Sequence, residues 1–150
     1  VLAVRARVLA EELGTFTNAF GLAFGLTIGL EQFAFGLGAG RITLDTAAGS
    51  GGLVITSVDT SVFHDYQIVG APGGTYDFLV DGVLLADDVA PYLFAGGVPD
   101  RLGLGDGTGG PNARGEITSF EYRAVPEPAT LLLVGFGLLT GAGFSQRTRR

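Results

Sequence analysis

The sequence predicts an all-β body of two packed antiparallel sheets, followed by a separate apolar C-terminal helix of single-span type. Three observations predict it. Short apolar runs with a period of two recur between turn clusters from residue 1 to about residue 123. Glycine supplies 26 of the 150 residues, which disfavours long helices through most of the chain. The charge also changes sign near residue 125: residues 1–124 hold six arginines against fourteen acids, and residues 125–150 hold three arginines against one.

In the opening run VLAVRARVLA, Leu2, Val4, Ala6, Val8 and Ala10 fall on one side and Arg5 and Arg7 on the other. That period reads as a half-buried strand, with a helix as the competing assignment because Ala, Leu, Arg and the following Glu11–Glu12 are good helix formers. Next, Phe20, Leu22, Phe24, Leu26 and Ile28 alternate with Ala19, Gly21, Ala23, Gly25 and Thr27, so one face is large and the other small. Phe33, Phe35 and Leu37 repeat the device against Ala34, Gly36 and Gly38, and a turn through Gly29–Gln32 makes the two strands a hairpin. RITLD follows, with Ile42 and Leu44 pointing together.

Further strands are expected over 53–58, 63–69, 76–81, 83–86, 101–104 and 117–123, divided by turn clusters at 47–52, 70–74, 86–91, 96–100 and 105–115. Asp81–Gly82, between two aliphatic runs, is a two-residue hairpin signal, because a type I′ turn needs positive φ at both central residues. Nine or ten short strands without an intervening helix argue for a sandwich whose inner faces fill the core.

Composition excludes several chemistries. No cysteine is present, so disulfides, thiolate metal sites and cysteine nucleophiles are absent from the 150 residues. All nine basic residues are arginine, which removes the P-loop lysine and lysine Schiff bases. With one histidine, any Ser-His-Asp triad would have to run through His64. The acidic body argues against a nucleic-acid partner.

The runs Phe63-His64-Asp65-Tyr66-Gln67-Ile68 and Tyr76-Asp77-Phe78-Leu79-Val80-Asp81-Gly82, then Gly105-Asp106 and Gly115-Glu116-Ile117-Thr118-Ser119-Phe120-Glu121-Tyr122, come in that order. In them residues 1–124 resemble the concanavalin A-like lectin/glucanase (laminin-G-like) superfamily. The resemblance implies a jelly-roll sandwich, here read as N-terminally incomplete and lacking a strand and a leader before Val1. It also implies that His64 is a fold residue. His64, Tyr66 and Ile68 share a strand face, where an imidazole packs and hydrogen-bonds a neighbouring backbone group.

Some relatives in that superfamily are β-glucanases with two carboxylates spaced along one strand, and that triplet is missing here. The nearest acidic pairs, Glu11–Glu12 and Asp87–Asp88, are adjacent residues, expected to be solvated turn charges on opposite faces. No catalytic residue is therefore expected. In the loop from Asp100 to Asn112, Asp and Asn oxygens could take Ca²⁺, although EF-hand spacing is absent and a plain turn explains the composition too. Lectin-like relatives bind glycans or calcium at a rim of the sandwich. Asp106 and Asn112 are the candidate ligand residues on that ground, calcium is the candidate ion, and no other cofactor is expected. The small-residue face within 20–38 offers a shallow platform for a sugar chain, or simply strand curvature around glycine.

The last 26 residues read VPEPATLLLVGFGLLTGAGFSQRTRR: a Pro-Glu-Pro box, an apolar run and an arginine-rich end. They resemble the PEP-CTERM sorting signal. Pro126 and Pro128 hold an extended segment around Glu127 for a processing enzyme. The uncharged residues 129–144 would form a helix of about 24 Å, against a hydrocarbon core of about 30 Å. Arg147, Arg149 and Arg150 act as the positive-inside stop signal. A permanent tail anchor and a buried C-terminal helix are the rival readings of the apolar run.

The resemblance implies export in a Gram-negative bacterium and a transient inner-membrane intermediate. It further implies recognition by an exosortase-type enzyme and release to the cell surface or exopolysaccharide matrix. The expected protein is a non-enzymatic surface or matrix component with a polysaccharide ligand. A matrix protein without ligand, or a polysaccharide hydrolase whose acids lie before Val1, are the alternatives.

Overall fold

A computed structural model describes residues 1–12, 21–96, 99–106 and 112–124. The described chain consists of β1 (Leu2–Glu12), β2 (Leu22–Ile28), β3 (Glu31–Gly38), β4 (Arg41–Thr46), β5 (Gly49–Ile55), β6 (His64–Gly70), β7 (Tyr76–Val80), β8 (Val83–Val89), β9 (Tyr92–Leu93), β10 (Arg101–Asp106) and β11 (Asn112–Tyr122). They form two antiparallel sheets, ordered β11-β1-β6-β7-β8 and β10-β2-β3-β4-β5, with β9 paired to the start of β3. The all-β sandwich expected from the alternation is what forms. The apolar segment 129–144 lies outside the described residues, and no described helix is long and apolar enough to cross a membrane.

The core is made by the large-residue faces. Phe24 and Phe35, opposite each other in the β2–β3 register, stack with centroids 5.1 Å apart. Phe35 also meets Tyr66 at 5.7 Å and Phe78 at 5.2 Å from the other sheet. One ring thus joins both sheets, and truncating it would cost about 3–5 kcal/mol. Leu2, Val4, Ala6 and Val8 are buried as the alternation of the opening run requires, which decides that run for a strand. Asp81 and Gly82 take φ of 51° and 77°, the double positive φ of the expected hairpin turn.

Strand limits differ from the expectation in several places. β5 begins at Gly49, because the glycines at 49–52 that looked like a turn continue the ladder with β4 through a register shift at Leu44/Thr46. β8 runs on to Val89 through residues expected to turn, with irregularities against β7 between Tyr76 and Leu79. β11 starts at Asn112 and β10 reaches Asp106, which shortens the expected loop. β9 has only two residues and left no periodic signal.

Glu11 corrects a stronger expectation. Its side chain is 1% exposed, and Arg41 grips it with both ends of the guanidinium, at 2.5 Å and 2.9 Å. The Ala39 amide donates a third bond at 2.8 Å. The continuing pleat of β1 carries Glu11 onto the β3–β4 turn of the other sheet instead of into solvent. Gly38 makes room for the pair: a Cβ there would lie 2.8 Å from Arg41 Cζ and from Glu11 Oε1.

Candidate functional site

The second sheet turns its small-residue face away from the core. Gly103, Gly25 and Ala34 stand side by side across β10, β2 and β3, and Gly105, Ala23, Gly36 and Thr43 form the next row. No side chain in the first row is larger than a methyl, so the sheet surface is sunk into a trench of about 660 Å³. The expected platform is therefore present. Its aromatic wall comes from a segment that the strand pattern did not mark.

On one side stand Tyr92 and Phe94, with ring centroids 5.3 Å apart and planes perpendicular. Pairing of Tyr92 with Gln32, and a 2.9 Å bond from the Phe94 amide to the Leu30 carbonyl, hold that segment on the sheet. Asp45 and Ser50 contribute from β4 and β5, and Arg101 from β10. Asp45 is 1% exposed; its Oδ1 accepts the Gly51 amide at 3.1 Å, and its Oδ2 has no hydrogen-bond partner among the described residues. Burial pushes the Asp45 carboxyl above its ordinary pKa, against the opposing pull of the Ser50 hydroxyl and the Gly51 amide. Sequence reasoning missed Asp45 because its neighbours Ile42 and Leu44 marked the strand as core. The signal available was an acid at a position whose alternation faces glycine and alanine.

His64 lies on β6, in the opposite sheet, and its partner is not the adjacent Asp65. Asp65 bonds Arg5 at 2.8 Å. The His64 ring instead spans the Asp81 carboxylate and the Asp59 carbonyl, which is the fold role expected of it, with one side-chain partner added.

Asp106 closes β10 opposite Leu22, and Asn112 opens β11 opposite Glu12. Their side chains lie outside the described residues, as does the connection between them. Elsewhere, ligand atoms of Asp77, Asp87 and Asp88 come within 4.8 Å of one another, and among the described residues this is the group that could hold a cation. Contrary to the expectation that adjacent acids diverge, Asp87 and Asp88 converge on Asp77, because Asp88 has a φ of 51° and the ladder is irregular there. The hydrogen bond with Asp77 and the charges of Asp88 and Asp77 push the Asp87 carboxyl above its ordinary pKa.

Beyond the body, β11 ends at Tyr122, and a family model described as a PEP-CTERM protein-sorting motif matches residues 124–150. The chain carries a PEP-CTERM sorting motif. No curated protein matches the chain. The PEP-CTERM match contains Pro126, Glu127 and Pro128 and the closing Arg147, Arg149 and Arg150, all outside the described residues. The motif indicates an exported protein that passes through the membrane to the cell surface and is processed by an exosortase.

Proposed function

We propose that this exosortase substrate is a non-enzymatic, glycan-binding component of the surface or extracellular matrix of a Gram-negative bacterium. Its body is read as a concanavalin A-like jelly roll. The observation that carries the reading is the trench: a floor of glycine and alanine beneath an aromatic pair. A pyranose ring is flat and apolar on its faces and ringed by hydroxyls. It suits a floor that admits close approach, with aromatic carbon beside it and the Arg101 side chain within reach.

The non-enzymatic part is supported by the trench lining, where Asp45 is the one acid among the described residues. Glycoside hydrolysis needs two carboxylates on either side of the scissile bond. The PEP-CTERM motif supplies the route to the place where such a ligand is found.

Purified full chain applied to an array of linear polysaccharides, with and without Ca²⁺, tests the proposal. Binding is expected, with a loss of roughly two- to tenfold in Tyr92→Ala, taking the contact of a sugar face with the ring at about 0.5–1.5 kcal/mol, as for an aromatic pair. An absence of binding under both conditions would reject the lectin reading in favour of a matrix protein without a ligand. Turnover of any arrayed polymer would reject the non-enzymatic one.

A further inference from the structure

Across one end of the trench the strands set four polar side chains in a row. Arg101 of β10 is registered with Thr27 of β2, Thr27 with Gln32 of β3, and Gln32 with Tyr92 of β9. All four line the trench. The next row is the bare one, Gly103, Gly25 and Ala34. A flat ring lying on the bare row therefore has its rim against a guanidinium, a hydroxyl, an amide and a phenol, repeated at the strand spacing of about 4.8 Å.

Arg101 is the charged member of that row, and no acid neutralises it among the described residues. Residues 1–124 hold six arginines among fourteen acids. Arg5, Arg7, Arg41 and Arg123 each bond a carboxylate, those of Asp65, Glu116, Glu11 and Glu121. Asp100 adjoins Arg101 in the chain, but its carboxylate is committed to the β2–β3 turn, where Oδ1 accepts the Gly29 amide at 2.7 Å. Arg114, the other arginine without an acid among the described residues, is on β11 in the facing sheet. The acid of the trench, Asp45, is buried on β4, three strand spacings or about 14 Å from β10, which exceeds the Debye length at physiological salt.

We propose that Arg101 makes the trench selective for acidic polysaccharides, its guanidinium pairing with the carboxylate of a uronate residue whose ring lies on the glycine and alanine floor. The inference rests on the glycan reading of the trench and names the class of glycan. A guanidinium presents parallel N–H groups that match the two oxygens of a carboxylate. Thr27 and Gln32 carry no charge and answer to ring hydroxyls. Because the body is acidic, a polyanion gains nothing from the general field of the protein, and a preference for one has to come from this contact.

Titration calorimetry of the full chain, in a detergent without a sugar headgroup, tests the selectivity. The probes are polygalacturonate and polymannuronate, each also as its methyl ester, which keeps the backbone and removes the charge. The wild type is expected to bind an acid form about fivefold more tightly than its ester, the weight of one exposed ion pair, with the preference shrinking as salt is raised. Arg101→Gln should bind acid and ester equally, with an unchanged circular dichroism spectrum, and Arg101→Lys should keep part of the preference. Arg114→Gln changes the net charge by the same amount and should keep all of it.

Equal binding of acid and ester by the wild type would overturn the inference and leave the glycan reading standing. So would equal losses in Arg101→Gln and Arg114→Gln, the sign of a diffuse charge effect, or binding of neutral polymers without binding of either polyuronate. Dextran sulfate bound as tightly as the polyuronates would show that charge alone is read and would overturn the carboxylate pairing. Binding of no polymer at all would reject the glycan reading and this inference with it.

Discussion

His64 Nδ1 lies 2.6 Å from Asp81 Oδ2, and Nε2 of the same ring lies 3.0 Å from the Asp59 carbonyl oxygen. Both partners are acceptors, so only the imidazolium, a donor at both nitrogens, satisfies the pair. The contact ties the start of β6 to the β7–β8 turn, where Asp81 Oδ1 also accepts the Asp65 amide at 2.9 Å.

This clamp makes stability depend on pH in a defined window. Partial burial pulls the His64 pKa down, but the hydrogen bonds to Asp81 and to the Asp59 carbonyl, with both carboxylate charges, outweigh it and leave the pKa raised. The Asp81 carboxyl is lowered, first by its bond from the Asp65 amide and then by His64. A raised histidine stabilises fully below its unfolded pKa of about 6.5 and loses that contribution as pH rises through the folded value. A lowered carboxylate contributes above its unfolded pKa of about 3.9 and loses it as pH falls. Chemical denaturation should therefore show the clamp at full strength between about pH 4 and 6.5. His64→Ala should cost about 1–2 kcal/mol there and less at pH 9. An equal cost at both pH values would contradict the charged form.

The Glu11–Arg41 pair predicts a larger loss. With the Glu11 side chain 1% exposed and the Arg41 side chain 13% exposed, removing Glu11 takes the two-pronged carboxylate partner from a largely buried guanidinium. Urea titration of Glu11→Ala should show a loss of about 3–5 kcal/mol. Glu12→Ala, the neighbouring acid, serves as the comparison at the same point of β1.

Asp45 predicts a gain in stability against a loss of binding. Burial raises its pKa, so the folded state holds the proton more tightly than the unfolded chain does. Its contribution is therefore greatest at low pH and declines as pH rises from the unfolded value toward the folded one. Asp45→Asn keeps an acceptor for the Gly51 amide without the buried charge. It should raise the melting temperature at pH 7 by a few degrees and flatten the decline between pH 4 and 7, while weakening glycan binding. A lower melting temperature at pH 7 would show that the charge is stabilising.

The Pro-Glu-Pro box predicts a processed terminus. Intact-mass analysis of protein released from the cell surface should give a chain ending near Pro126–Pro128, and Glu127→Ala should reduce the released fraction. A released chain still ending at Arg150 would contradict processing.

The strands that alternate large and small residues were legible in the sequence, because the pleat itself has a period of two and Phe24, Phe35, Ile42 and Leu44 follow it into the core. The hairpin at Asp81–Gly82 was legible because positive φ is a local steric demand. The sorting motif was legible as a linear string. Where local patterns misled, a distant partner was responsible. Glu11 looked like a surface charge until the β3–β4 turn brought Arg41 over it, and Asp87 and Asp88 looked divergent until an irregular ladder turned both toward Asp77.

The sequence by itself determined the period of the strands, the small-residue face that becomes the trench floor, and the address carried by residues 124–150. Only the tertiary structure decided which charges are buried, and that Tyr92, Phe94 and Asp45 gather around that floor. The reason is physical. Alternation and turn chemistry act between neighbours along the chain, whereas burial, pairing and edge exposure arise between residues that only strand order across the two sheets brings together.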